Sequence, residues 1–143
     1  MAFKINISDK GKTYKLETES EVLIGKSIGD IFKGEDIDEN LKGYEIVITG
    51  TSDLSGIPGH IELEGSGYHR ELLKKGFGMK DSKKGLRLRK TLRGNEISIK
   101  THQINSKVIK EGNKKFEDLI KKEEQLVAEE ETQTEKKQEE KTE

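Results

Sequence analysis

With 143 residues, no cysteine and 38% charged side chains, the chain is one domain or one domain with a tail, and its composition excludes disulfide frameworks, thiol nucleophiles and zinc fingers. A formal net charge of -1 conceals a split: residues 70–93 carry ten Lys and Arg against Glu71 and Asp81, while residues 1–69 carry 7 Lys against 13 acids and residues 111–143 carry 7 Lys against 12. No apolar run is long enough to span a bilayer, and the stretch Met1 to Ile7 lacks the apolar core and cleavage site of a signal peptide, so a cytoplasmic protein is expected.

Phe3, Ile5 and Ile7 alternate with Lys4, Asn6 and Ser8, and after Asp9-Lys10-Gly11-Lys12 the alternation resumes with Tyr14 and Leu16. A period of two on both sides of a glycine turn predicts an opening β-hairpin. Val22-Leu23-Ile24 and Tyr44 to Thr49 read as further strands, and Ile97, Ile99 and then Ile104, Ser106 and Val108 give one or two more. Glycines punctuate the interval between them at short, irregular steps. Short strands with glycine turns predict a mainly β fold, a small closed or partly open antiparallel β-barrel.

Three features along this stretch invite a chemical reading and do not sustain one. Ile46 to Gly59 looks like a strand feeding a glycine-rich dinucleotide loop, but Gly50 and Gly56 are too far apart for that turn and no helix follows to receive a pyrophosphate. Asp36, Asp38 and Glu39 form an acidic group in a loop-like segment, where a solvated turn is the simpler account. His60, His69 and His102 are scattered without metal-ligand spacing or a nucleophile beside them. No catalytic residue, cofactor, metal or small-molecule substrate is expected.

The basic window carries more information. All four arginines, Arg70, Arg87, Arg89 and Arg93, lie in it, together with Lys74, Lys75, Lys80, Lys83, Lys84 and Lys90. Such a segment repels itself unless something negative neutralises it, and a phosphodiester backbone offers regularly spaced negative charge. Leu86, Leu88 and Leu92 would anchor a short strand or extended arm presenting Arg87 and Arg89 on one side, with His69 extending the basic surface. Arginine's planar fork suits bidentate phosphate contact. Tyr68 and Phe77 are the only aromatics nearby, so contacts to the backbone and shape of folded RNA are expected rather than a stacking platform.

After Gly112 the character changes. Phe116, Leu119, Ile120, Leu126 and Val127 recur at helical spacing, with Asn113 as a candidate N-cap, predicting an amphipathic C-terminal α-helix over 113–130. Residues 131–143 hold no apolar side chain and are expected to be a disordered charged tail. The expected organisation is a β-barrel domain over 1–112, including a basic RNA-binding segment at 69–95, then the helix, then the tail.

Several blocks in this order resemble small-subunit ribosomal protein six of archaea and eukaryotes: Phe3 to Ser8, Ile24 to Asp30, Gly43 to Gly50, Ser52 to Pro58, and Arg87 to Ile97 with Gln103-Ile104-Asn105. The resemblance covers about residues 2–110, and the short length is similar to the archaeal members. It implies a non-catalytic constituent of the small ribosomal subunit, located on cytoplasmic ribosomes and bound to ribosomal RNA and neighbouring ribosomal proteins. Carried onto this chain, the family's basic glycine-rich segment corresponds to 76–95, which makes Lys83, Lys84, Arg87, Arg89, Lys90 and Arg93 the expected phosphate contacts and Asn95 a residue that caps a turn or reaches a ribose. The single proline and the sequence Gly59 to Glu64 depart from the family's proline-rich, basic pattern, so contact through 59–67 is not carried over. Nor is phosphorylation of a C-terminal helix, because no serine follows Ser106. The other reading that the residues allow is a free-standing RNA-binding barrel, an RNA chaperone or translation factor.

Overall fold

The computed structural model describes residues 3–81, 83–112 and 116. Its strands are β1 (Phe3–Asp9), β2 (Lys12–Thr18), β3 (Ile31–Lys33), β4 (Glu45–Asp53), β5 (Tyr68–Leu73), β6 (Leu88–Arg93) and β7 (Thr101–Lys110). Five of them form one mixed sheet in the order β2-β1-β7-β4-β3, and β5 and β6 pair separately as a two-stranded ribbon.

The opening hairpin follows from its sequence. Lys10 and Gly11 both have positive φ, 45° and 84°, as a two-residue hairpin turn of matching twist requires, and Asp9 pairs with Lys12 across it. The alternation then places Phe3, Ile5 and Ile7 inside. β1 also runs parallel to β7, setting Ile5 beside Ile104. Ile46 and Ile48 of β4 and Ile104 and Val108 of β7 complete this apolar face, which Leu23, Phe32, Leu41 and Tyr44 cover from the connections. Each such side chain fully removed from water contributes about 1.5–3 kcal/mol.

The barrel expectation is overturned. β2 and β3 are the two edges of the five-stranded sheet, they do not pair with each other, and β5–β6 does not bridge them. One reason lies between those edges: Val22 and Leu23, expected in a strand, sit in a 3-10 turn (Glu21–Leu23), and β3 is only three residues long. Too little extended backbone remains at that side to close a cylinder. Ile97 and Ile99 likewise belong to the approach to β7 rather than to a strand; Ile97 is buried and Ile99 is exposed.

The expected C-terminal α-helix and tail lie outside the described residues except for Phe116, and the elements among the described residues are strands and short 3-10 turns. Phe116 itself is buried, with its ring centroid 6.5 Å from those of both Tyr14 and Tyr44.

One irregularity in β4 positions the site. Ile48 pairs with Ser106 and Gly50 with Asn105, so Thr49 is an extra residue bulged between them, its hydroxyl donating to the Asn105 carbonyl at 2.9 Å. The bulge shifts the in–out parity: Ile46 and Ile48 are buried before it, Thr51 and Asp53 after it. Unbroken alternation would have placed Gly50 and Ser52 inside.

Candidate nucleic-acid interface

The ribbon is tied to the sheet at one end. Residues 54–67 fold back between β4 and the end of β6: Gly59 N–H donates to Thr51 O at 3.0 Å, Arg93 N–H to Pro58 O at 3.0 Å, His60 N–H to Arg93 O at 2.9 Å and Gly94 N–H to Gly67 O at 2.9 Å. The approach requires glycine at two points. A Cβ on Gly59 would overlap Thr51 Oγ1, and one on Gly94 would overlap the Gly65 carbonyl.

Arg93 lies within this joint. It is 2% exposed, and its Nη1 sits 3.0 Å from Oδ2 of the equally enclosed Asp53, while Nη2 donates to Ser98 Oγ. Tyr68 Oη donates to the same Asp53 oxygen, and the Arg93 guanidinium carbon lies 5.6 Å from the Tyr68 ring centroid. Chiefly the Tyr68 hydrogen bond, with help from the Leu54 N–H and the Arg93 charge and against the effect of burial, holds the Asp53 carboxyl below its ordinary value of 3.8. The same bond raises the Tyr68 phenol above its ordinary value of 10.0, because ionising it would place two negative charges together. Arg93 is therefore committed to the interior and is removed from the residues that can reach a phosphate.

The other cations of the window stand differently. Arg70 is exposed on β5; Lys74, Lys75 and Lys80 are exposed beyond it; Lys83, Lys84 and Arg87 are exposed ahead of β6, and Arg89 is exposed on it. Lys90 is half-buried and pairs in register with Glu71. His69 is half-buried opposite Leu92. None of these nine Lys and Arg forms an ion pair among the described residues. Asn95 Nδ2 donates to Ile61 O at 3.3 Å and its backbone N–H to Leu63 O at 2.7 Å.

Sequence reasoning missed Asp53 and Tyr68. A strand pattern read straight through Thr49 gives Asp53 the wrong parity, and only Gly50, a residue common at bulges, hints otherwise. Within the acidic group Asp38 is structural, accepting from the Asn40 N–H at 3.0 Å and capping a 3-10 turn, while Asp36 and Glu39 are exposed. A cleft of about 500 Å³ lined by Asp53, Leu54, Ser55, Ile99, Lys100, Thr101 and His102 opens beside the joint, but its carboxylate is already engaged by Tyr68 and Arg93. Among the described residues no cluster of His, Asp and Glu is arranged to hold a metal ion.

The family model described as Ribosomal protein S6e matches residues 1–121. The chain belongs to this family. Curated S6e relatives, each named small ribosomal subunit protein eS6, agree with the match. The protein of Methanothermobacter thermautotrophicus is 44% identical over 123 residues, 84% of this chain and 96% of that protein. A Methanococcus maripaludis relative is 47% identical over 115 residues, 79% of this chain and 91% of its own length. The Nanoarchaeum equitans protein is 41% identical over 119 residues, 81% and 87% of the two chains. These S6e proteins are archaeal, in keeping with the short form that the sequence resembles.

Proposed function

We propose that this S6e chain binds ribosomal RNA through the exposed cations of the β5–β6 ribbon and the segment joining its strands, and that its contribution to the ribosome is structural rather than catalytic. Family membership makes it a structural constituent of the small ribosomal subunit on cytoplasmic ribosomes. The observation that carries the RNA reading is the set of unpaired cations from Arg70 to Lys90, with only Glu71 and Asp81 among them. Such a surface neutralises phosphates and releases their counterions, so its affinity falls steeply with salt. Association with the small subunit also implies neighbouring ribosomal proteins as partners.

Changing Lys83, Lys84, Arg87 and Arg89 to Ala tests the reading. The variant should keep its fold and bind a small-subunit ribosomal RNA transcript more weakly, with the log-log salt slope flattened by roughly 0.7 to 0.9 for each phosphate no longer neutralised. An unchanged slope would mean that these side chains point into solvent. Sedimentation separates the ribosomal role from that of a free-standing RNA-binding protein, since a chain found mainly outside the small subunit contradicts the first.

A further inference from the structure

The ribbon has two unlike faces. Cross-strand partners share a face, and Tyr68 with Arg93, Arg70 with Thr91 and Leu72 with Arg89 alternate along β5–β6 with His69 and Leu92, Glu71 and Lys90, and Leu73 and Leu88. The second set is less exposed: His69, Leu73, Leu88 and Lys90 are half-buried, and only Glu71 is exposed. Leu92 is buried, and the turn at Gly78 comes so near that a Cβ there would lie 3.0 Å from Leu73 Cδ1 and 3.5 Å from Leu92 Cδ2. That face also holds Glu71, the one acid of the ribbon strands. On the first face Arg70, Leu72, Arg89 and Thr91 are all exposed, and Tyr68 stands at its base.

Tyr68 is fixed before any ligand arrives. Its hydroxyl is committed to Asp53 and the buried Arg93 lies against the ring, yet 49% of the residue remains exposed. A ligand therefore meets ring surface rather than the phenol's hydrogen-bonding capacity. A rigid aromatic surface beside unpaired arginines matches an unstacked nucleotide, whose base presents a π-face whatever its identity and whose phosphates take the guanidinium groups. An acidic peptide would use the arginines but would gain nothing specific from the ring.

We infer that Tyr68 is a base-stacking residue, and that Tyr68, Arg70 and Arg89 form one recognition face for an unpaired nucleotide of folded RNA, with the Glu71–Lys90 face turned away. This rests on the reading of the ribbon as the RNA contact and deepens it. It also amends the expectation that no stacking platform is present.

The chain contains no tryptophan, so full-length Tyr68→Trp and Phe77→Trp variants each carry a single reporter. Phe77 is exposed in the turn that covers the opposite face, edge-on to His60, and serves as the control. On titration with a small-subunit ribosomal RNA transcript, emission of the Tyr68→Trp variant should be quenched in step with binding and that of Phe77→Trp should not. Tyr68→Leu should bind about fivefold to a hundredfold more weakly, whereas Tyr68→Phe, which loses the tie to Asp53 but keeps the ring, should stay within about threefold of the parent.

A purely structural Tyr68 would make Phe as harmful as Leu, and that result overturns the inference, as does an unquenched Tyr68→Trp variant on bound RNA. The Phe and Leu pair decides if the Trp variant does not fold. Arg70→Ala combined with Arg89→Ala separates the two levels. A flattened salt slope without quenching sinks the stacking role and keeps the ribbon contact; an unchanged slope without quenching sinks both.

Discussion

The five-stranded sheet and the β5–β6 ribbon use charge in opposite ways. On the sheet and its connections, lysines stand beside acids: Lys4 and Glu17 at 3.3 Å, Lys33 and Glu35 at 3.7 Å, Lys110 and Glu45 at 3.3 Å, and Lys10 with Glu111. Along the ribbon the cations have no acidic partner among the described residues, except for Arg93, which the joint encloses. The sheet pairs these lysines with its own acids and derives its stability from an apolar face. The ribbon leaves its charge for something else to neutralise, and one buried ion pair at its base connects the two regions.

Breaking that connection should have the largest effect. Arg93→Ala leaves Asp53 enclosed without its counter-charge and should cost about 3–5 kcal/mol, read as a lower urea midpoint. A midpoint equal to the parent's would show that the ribbon needs no such anchor. Ile104→Ala, a cavity beneath the sheet and away from all ribbon charge, should cost about 2–5 kcal/mol and leave the salt slope of RNA binding unchanged.

Acid should weaken the joint as Asp53 takes up a proton. The folded-state pKa of Asp53 lies below its ordinary 3.8, so its contribution is fully present above that value and is lost as pH falls through the lower folded value. Asp53→Asn should therefore flatten the fall in urea midpoint below about pH 3.8; a parallel fall in both proteins would assign acid sensitivity to other carboxylates. Tyr68 works in the reverse sense. Its raised pKa keeps its contribution intact below 10.0 and loses it as pH rises through the higher folded value.

The smallest stability effects belong to the surface, and there the two regions should part again. Arg87→Ala with Arg89→Ala should change stability by no more than about 0.5 kcal/mol while weakening RNA binding. Lys4→Ala, which opens an exposed pair, should cost about 0.2–1 kcal/mol and leave RNA binding as it was. Equal effects of the two changes on RNA binding would erase the contrast.

Local pattern made much of the sheet legible. The alternation of Phe3, Ile5 and Ile7, the turn at Lys10-Gly11 and the apolar runs of β4 and β7 all declare themselves within a few residues. Val22 to Ile24 misleads because three consecutive apolar residues suit a buried strand and a buried 3-10 turn equally, and only the surroundings choose between them. Closure of the sheet was not legible either, since it depends on whether distant edges meet. In the candidate site, the identity and sign of the basic window were plain, but which side of the ribbon each cation occupies was not.

By itself the sequence determined the period of its strands, the hairpin turn, the absence of cysteine chemistry and the segregation of every arginine into one basic window, because each of these depends on residue type and short spacing alone. The tertiary structure decided that three arginines face outward and the fourth is enclosed. The reason is a single extra residue. The bulge at Thr49 turns Asp53 inward toward the end of β6, and a buried carboxylate there requires a cation, which Arg93 supplies from a distant part of the chain.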